Sequence, residues 1–173
     1  MSERDQTQAL EARLAAFVST HRARAVSLAW RLVGGEAAAA EDVAQEAFVQ
    51  AWRALPGFRD EAQLSTWFYR ILVREASAWR RRARVGQLWT QLTGGEVATP
   101  RASVDAGLQR RILAALDGLS RGQREAFVLV HLEGFTAAEA AEVLGMSPGT
   151  LKSHLHRALV KLRAELADLR EEG

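Results

Sequence analysis

TAAEAAEVLGMSPGTLKSHLHRALVKLR, residues 136–163, is the stretch whose reading decides the fold. Thr136 stands where a helix N-cap belongs and Glu139 follows three residues later, so the two form a capping box. The helix they open is short and stops at Gly145, the residue type that most readily takes the left-handed conformation of a helix end. Ser147 caps a second, longer helix, and Pro148 lies in its first turn, where a missing N–H costs nothing. Two helices joined by a tight turn make a helix-turn-helix. Ala140 and Ala141 let the helices approach closely, and Val143, Leu144, Met146, Leu151, Leu155 and Leu159 supply apolar contacts. The second helix then presents Thr150, Lys152, Ser153, His154 and Arg157, beginning from Ser147, Pro148 and Gly149. A helix fits the major groove of DNA. Its N-terminal residues reach base edges, and Lys and Arg give salt-dependent affinity for phosphate. An ordinary helical hairpin with a polar outer face is the competing interpretation.

Upstream, a helix from about Ala106 to Leu116 is expected, followed by one that Ser120 caps and Gly134 ends. The stretch Gly86–Gly107 holds Gly94-Gly95, Pro100 and several Thr and Ser, and reads as a linker, with Trp89 and Leu92 as its odd members. About twenty such residues can extend to roughly 65–70 Å. Before it, three or four helices are expected. Leu10, Leu14, Phe17 and Val18 begin an apolar face that Gly34-Gly35 stops. Val43, Ala47, Phe48, Ala51 and Trp52 form the next, which ends before Pro56-Gly57, and Phe48 and Trp52 are expected in the core. Ser65 or Thr66 is expected to cap a third, which carries Trp67, Phe68, Ile71, Leu72 and Ala76; Phe68 is the aromatic expected to be core. The fold class is therefore all-α: two small helical domains, residues 8–85 and 106–170, joined by a flexible linker over 86–105.

Composition narrows the function. The 173 residues contain no cysteine, which excludes disulfides and thiolate metal sites. His154 and His156 point to different faces, so no metal and no cofactor is expected. No apolar run is long enough to span a bilayer, and MSERDQTQAL has no signal-peptide core, so a cytoplasmic protein without membrane insertion is expected. Net charge is only +2, so any polyanion must be met by local clusters. Arg80, Arg81, Arg82 and Arg84 form the densest one, either a solvated helix end or a phosphate-contacting stripe. No phosphate loop, paired metal-ligand spacing or nucleophile arrangement supports an enzyme.

LDGLSRGQREAFVLVHLEGFTAAEAAEVLGMSPGTLKSHLHRALVKLRAEL, residues 116–166, resembles region 4 of the sigma-70 family. EDVAQEAFVQAWRALPGF (41–58) resembles region 2.2, and STWFYRILVREASAWRRRAR (65–84) resembles regions 2.3 and 2.4. The order and spacing match, and there is no room for the intervening domain of the larger sigma factors. The resemblance is thus to the small extracytoplasmic-function type. It implies an alternative sigma factor that binds core RNA polymerase through the β′ clamp helices and the β flap. Such a factor directs transcription from promoter DNA by −10 and −35 recognition and promoter melting, has no catalytic residues, and is held by an anti-sigma factor. It places polymerase contacts on Asp42, Gln45, Glu46 and Phe48. It places −10 contacts on Ser65, Thr66, Trp67, Arg70, Arg74, Arg80 and Arg81, with the loop from Phe58 to Leu64 shaping base choice. It places −35 contacts on Ser147, Pro148, Gly149, Thr150, Lys152, Ser153, His154 and Arg157. Two departures from the family pattern bear on promoter choice: Glu75 stands where Asn is usual, and His154 where Arg is common. A stand-alone regulator with the same helix-turn-helix is the alternative; STWFYR, a melting-type element, argues against it.

Overall fold

The computed structural model describes residues 3–58, 63–93 and 105–167, and its described elements are helices. The N-terminal half holds α1 (Glu3–Val33), α2 (Ala37–Ala54) and α3 (Leu64–Thr93), with a single 3-10 turn at Leu55–Gly57. Buried Ala39, Ala40, Ala44, Ala47 and Ala51 keep one face of α2 thin, so α1 and α3 pack close against it. The core is aromatic where they meet. Phe68 stacks on Phe48 at 4.5 Å and takes Phe17 edge-on at 5.1 Å.

Three expectations change here. Leu64 is already helical, so Ser65 and Thr66 lie inside the first turn of α3 and neither caps it; Thr66 is buried instead. Trp52 is not core: its side of α2 turns outward and the residue is 50% exposed, while Phe48 is partly buried against Phe68. Helix α3 also continues to Thr93, through the first eight residues of the expected linker. Residues 86–93 contain no proline, and Leu88, Trp89 and Leu92 hold a helical spacing that the first glycine, Gly86, does not break.

The C-terminal half holds α4 (Asp105–Asp117), α5 (Arg121–Phe127), α6 (Ala137–Leu144) and α7 (Pro148–Glu165). Ser120 caps α5 with a full capping box through Gln123. Beyond Phe127 the helix widens into a π turn over Val128–Leu132, with Glu133 N–H donating to Val128 O at 2.9 Å. Thr136 and Glu139 form the expected box on α6. Gly145 ends α6 at φ +62°, a conformation in which a side chain would be strained, and so sets the turn of the helix-turn-helix. Ser147 Oγ accepts from Thr150 N–H at 3.1 Å and opens α7.

The Glu139 carboxylate accepts the Thr136 N–H and hydroxyl, each at 2.8 Å, which holds its pKa below the usual glutamate range. A lowered carboxylate pKa contributes stability that is complete above the ordinary value and disappears as pH falls through the lowered one. Thermal melts taken across that acid range should therefore show a small loss that Glu139→Gln abolishes. An unchanged pH dependence in the variant would remove this role.

One buried apolar cluster runs through both halves, from Leu14, Phe68 and Leu72 to Leu129, Ala140, Val143 and Leu151. A smaller cluster of Ala115, Leu116, Leu119, Ala158 and Leu162 fastens α4 to α7. Arg124 joins these layers. It is buried, and its guanidinium donates to the carbonyls of Leu116 (3.0 Å), Asp117 (3.2 Å) and Leu119 (2.8 Å), which adds donors at the C-terminal end of α4, where Leu116 O also accepts from Leu119 N–H at 3.2 Å.

Candidate nucleic-acid and polymerase interfaces

On α7 the capping geometry orders the first turn. Ser147 and Thr150 hydroxyls lie 2.9 Å apart, and Ser153 Oγ donates to Gly149 O at 3.1 Å. Ser147, Pro148, Gly149, Thr150, Lys152, Ser153 and Arg157 are all exposed, and Lys152 and Arg157 have no ion pair among the described residues. His154 differs. Its ring turns toward α5 and sits where a Cβ on Gly122 would come within 2.8 Å, so Gly122 makes the room for it. It is half-buried, with Nδ1 enclosed and without a hydrogen-bond partner. The structure thus brings seven of the eight expected −35 residues onto the exposed surface and packs the eighth between helices.

On α2, Asp42, Gln45 and Glu46 are exposed and line one groove with Trp79, Arg82 and Glu75. Glu75 therefore faces α2. Gln50 Nε2 donates to Glu46 at 2.7 Å, and Phe48 lies on the neighbouring, more buried side.

The expected −10 residues on α3 are less uniform. Trp67 is half-buried with its ring 5.0 Å from Phe58; Ser65 is half-buried, Thr66 buried, and Arg74 and Arg81 exposed. Residues 59–62 of the loop expected to shape base choice lie outside the described residues. Arg70 and Arg80 are engaged by the other half of the chain. Arg70 donates to Glu142 O at 2.7 Å, and Arg80 pairs with Asp117 while donating to Leu32 O at 3.2 Å.

These belong to a latch that the sequence reading missed. Glu133, its side chain only 5% exposed, pairs with Arg31 and lies 3.7 Å from Arg24 Nε, both on α1. Arg24 also donates to Glu133 O at 2.7 Å and covers the rings of Phe135 (4.7 Å) and Tyr69 (5.5 Å), which meet edge-on at 5.2 Å. Burial pushes the Glu133 carboxyl up, although both arginines act in the opposite direction. The signal was present: an acid at the C-terminal end of a helix opposes the helix dipole, which calls for a cation from elsewhere.

The sequence profile of sigma-70 region 2 matches residues 17–85, and that of sigma-70 region 4 matches residues 109–162. The chain belongs to the sigma-70 family of RNA polymerase sigma factors, within its extracytoplasmic-function type. It is an alternative sigma factor that directs transcription initiation at promoters. RNA polymerase sigma-E factor of Streptomyces avermitilis is 33% identical over 132 residues, covering 73% of this chain and 70% of that one. ECF RNA polymerase sigma factor EcfG of Rhodopseudomonas palustris is 34% identical over 164 residues, covering 92% and 86%. Among solved structures, CnrH in complex with the cytosolic domain of CnrY superposes with a TM-score of 0.68 at 27% identity, covering 96% of this chain and 95% of that one. The sigma factor RpoE in complex with the anti-sigma factor NepR from Bartonella quintana gives 0.63 at 30% identity, covering 95% and 98%. Among the described residues no helix is long and apolar enough to cross a membrane.

Proposed function

We propose that the exposed N-terminal turns of α7 read the −35 element, that α3 with the loop before it handles the −10 element, and that the acidic face of α2 docks on core polymerase. The observation that carries this is the pair Lys152 and Arg157, exposed and without an ion pair among the described residues, on a helix whose first turn is capped. Their charge supplies phosphate affinity, and the exposed Thr150 and Ser153 flank Lys152 along α7. The division of labour proposed here is between residues 8–85, for core polymerase and the −10 element, and residues 106–170, for the −35 element. Transcription chemistry belongs to the polymerase, so the chain itself has no catalytic residues and acts in the cytoplasm. Two solved relatives are held by partners, one of them named an anti-sigma factor, which supports the same kind of partner here.

Asp42 and Glu46 are one helical turn apart, a like-charge spacing that slightly destabilises an isolated helix and complements a basic partner. Asp42→Lys with Glu46→Lys should weaken association with core polymerase by at least about tenfold, roughly 1.4 kcal/mol. The folded state should be unaffected, as read by thermal melting. Unchanged core binding would move the polymerase contact off α2.

The latch implies a second state. Arg70 and Arg80 serve the interface between the halves and cannot grip DNA at the same time. Glu133→Arg would set a buried cation against Arg24 and Arg31 and should open the chain. Small-angle scattering is expected to show a larger radius of gyration for the variant, and promoter binding in holoenzyme should be retained. An unchanged radius would mean that the latch does not hold the halves together.

A further inference from the structure

Between α3 and α5 lies a cavity of about 60 Å³, lined by Leu32, Ala76, Ser77 and Glu125 and by guanidinium groups from both halves of the chain. We propose that this cavity, where Arg80, Arg81 and Arg84 of α3 face Arg121 and Arg124 of α5, binds a small phosphate-type oxyanion and thereby holds the two halves closed.

Charge is the first argument. Five arginines meet at the cavity, and the carboxylates that answer them are Asp117, paired with Arg80, and Glu125, whose Oε1 accepts from Arg121 Nε at 2.9 Å and from Ser77. Three positive charges are left over. Arg81 and Arg84 have no ion pair among the described residues, and the Arg124 fork is committed to backbone carbonyls. Arg124 is buried and Arg80 partly so, and like charges there repel more than in open water, whereas Arg81, Arg84 and Arg121 are exposed. Arg124 registers the effect: burial first, then Arg80, lower its pKa to about 10 against the pull of Asp117, and Arg84 adds to the lowering. An anion centred among these groups offsets that repulsion directly.

Size is the second. At roughly 10–15 Å³ per water-sized position, the cavity holds about four to six, room enough for one tetrahedral oxyanion. Planar guanidinium forks match such an ion two bonds at a time. The third argument is placement. A stripe that tracks a DNA backbone lies on one exposed surface, whereas this set is assembled from two halves and exists only while they are closed. An anion bound there must favour the closed chain by its differential affinity. It also occupies Arg81, which belongs to the −10 set proposed above.

The test is calorimetric titration of the full chain with inorganic phosphate in a chloride buffer of fixed ionic strength. Saturable binding of one phosphate per chain is expected. Arg84→Gln with Arg121→Gln should weaken it at least tenfold, and Arg163→Gln, a cation removed elsewhere, should leave it unchanged. Glu133→Arg alters no cavity residue and should weaken binding comparably, because it opens the interface. A parallel titration with ATP separates the sources: tighter binding than inorganic phosphate assigns the site to the phosphate of a nucleotide, and weaker binding to the free ion. No saturable binding of either, equal loss in Arg163→Gln, or full binding by Glu133→Arg would each overturn the proposal.

Discussion

Lys152→Ala combined with Arg157→Ala is expected to lower holoenzyme affinity for a −35 element by about ten- to a hundredfold, while core polymerase binding stays intact. Both side chains are exposed on α7 and free of intramolecular ion pairs among the described residues, so their removal costs the fold little. Each lost phosphate contact on duplex DNA should also flatten the salt dependence by about 0.9 in log–log slope. Titrations at several salt concentrations separate this from a folding defect: a misfolded variant would lose polymerase binding too, and the slope of its remaining active fraction would not change. An unaltered slope would move phosphate recognition away from α7.

Arg124→Met should have the largest effect on stability. The variant retains most of the apolar stem and deletes three hydrogen bonds to the carbonyls at the end of α4. Those carbonyls lose a charged donor inside the fold, although Leu116 O keeps the Leu119 N–H at 3.2 Å, at a cost of roughly 2–4 kcal/mol. The loss should appear as a lower thermal midpoint, with amide exchange accelerated in α4 and α5 first. Arg124→Lys should recover only part of it, since an ammonium cannot spread over three acceptors as the planar fork does. A midpoint within one degree of the parent would show that the end of α4 finds other donors.

Residues whose role is local were the legible ones. Thr136, Glu139, Gly145 and Ser147 act within four residues of themselves, and their caps and turn follow from residue type alone. Ser120 is another of this kind. Misreadings arose where the deciding partner is distant or where a helix boundary lies a few residues from the expected one. Trp52 has the spacing of a core residue, but the neighbouring alanines bring α1 and α3 onto the other faces of α2 and leave it outside. Ser65 and Thr66 are good caps by chemistry, yet Leu64 already lies in the helix. Composition made residues 86–93 look like linker because the Gly-Gly and Pro that follow dominated the window; their own spacing is helical. His154 has the polarity of a base-reading residue, and only the absence of a side chain at Gly122, thirty-two positions earlier, lets it fold back. The latch of Glu133 with Arg24 and Arg31 joins residues more than a hundred positions apart. One-dimensional spacing carries no information about such a pair beyond the oddity of an acid at a helix end.

The most direct measurement of the central claim is run-off transcription. Core RNA polymerase is mixed with this chain on fragments of the genome that encodes it, and the 5′ ends of the transcripts are sequenced. Discrete start sites that disappear when the chain is omitted, each preceded by two shared elements at constant spacing, are the predicted result. No added start sites, together with tight binding of the chain alone to duplex DNA, would contradict it and identify a stand-alone regulator.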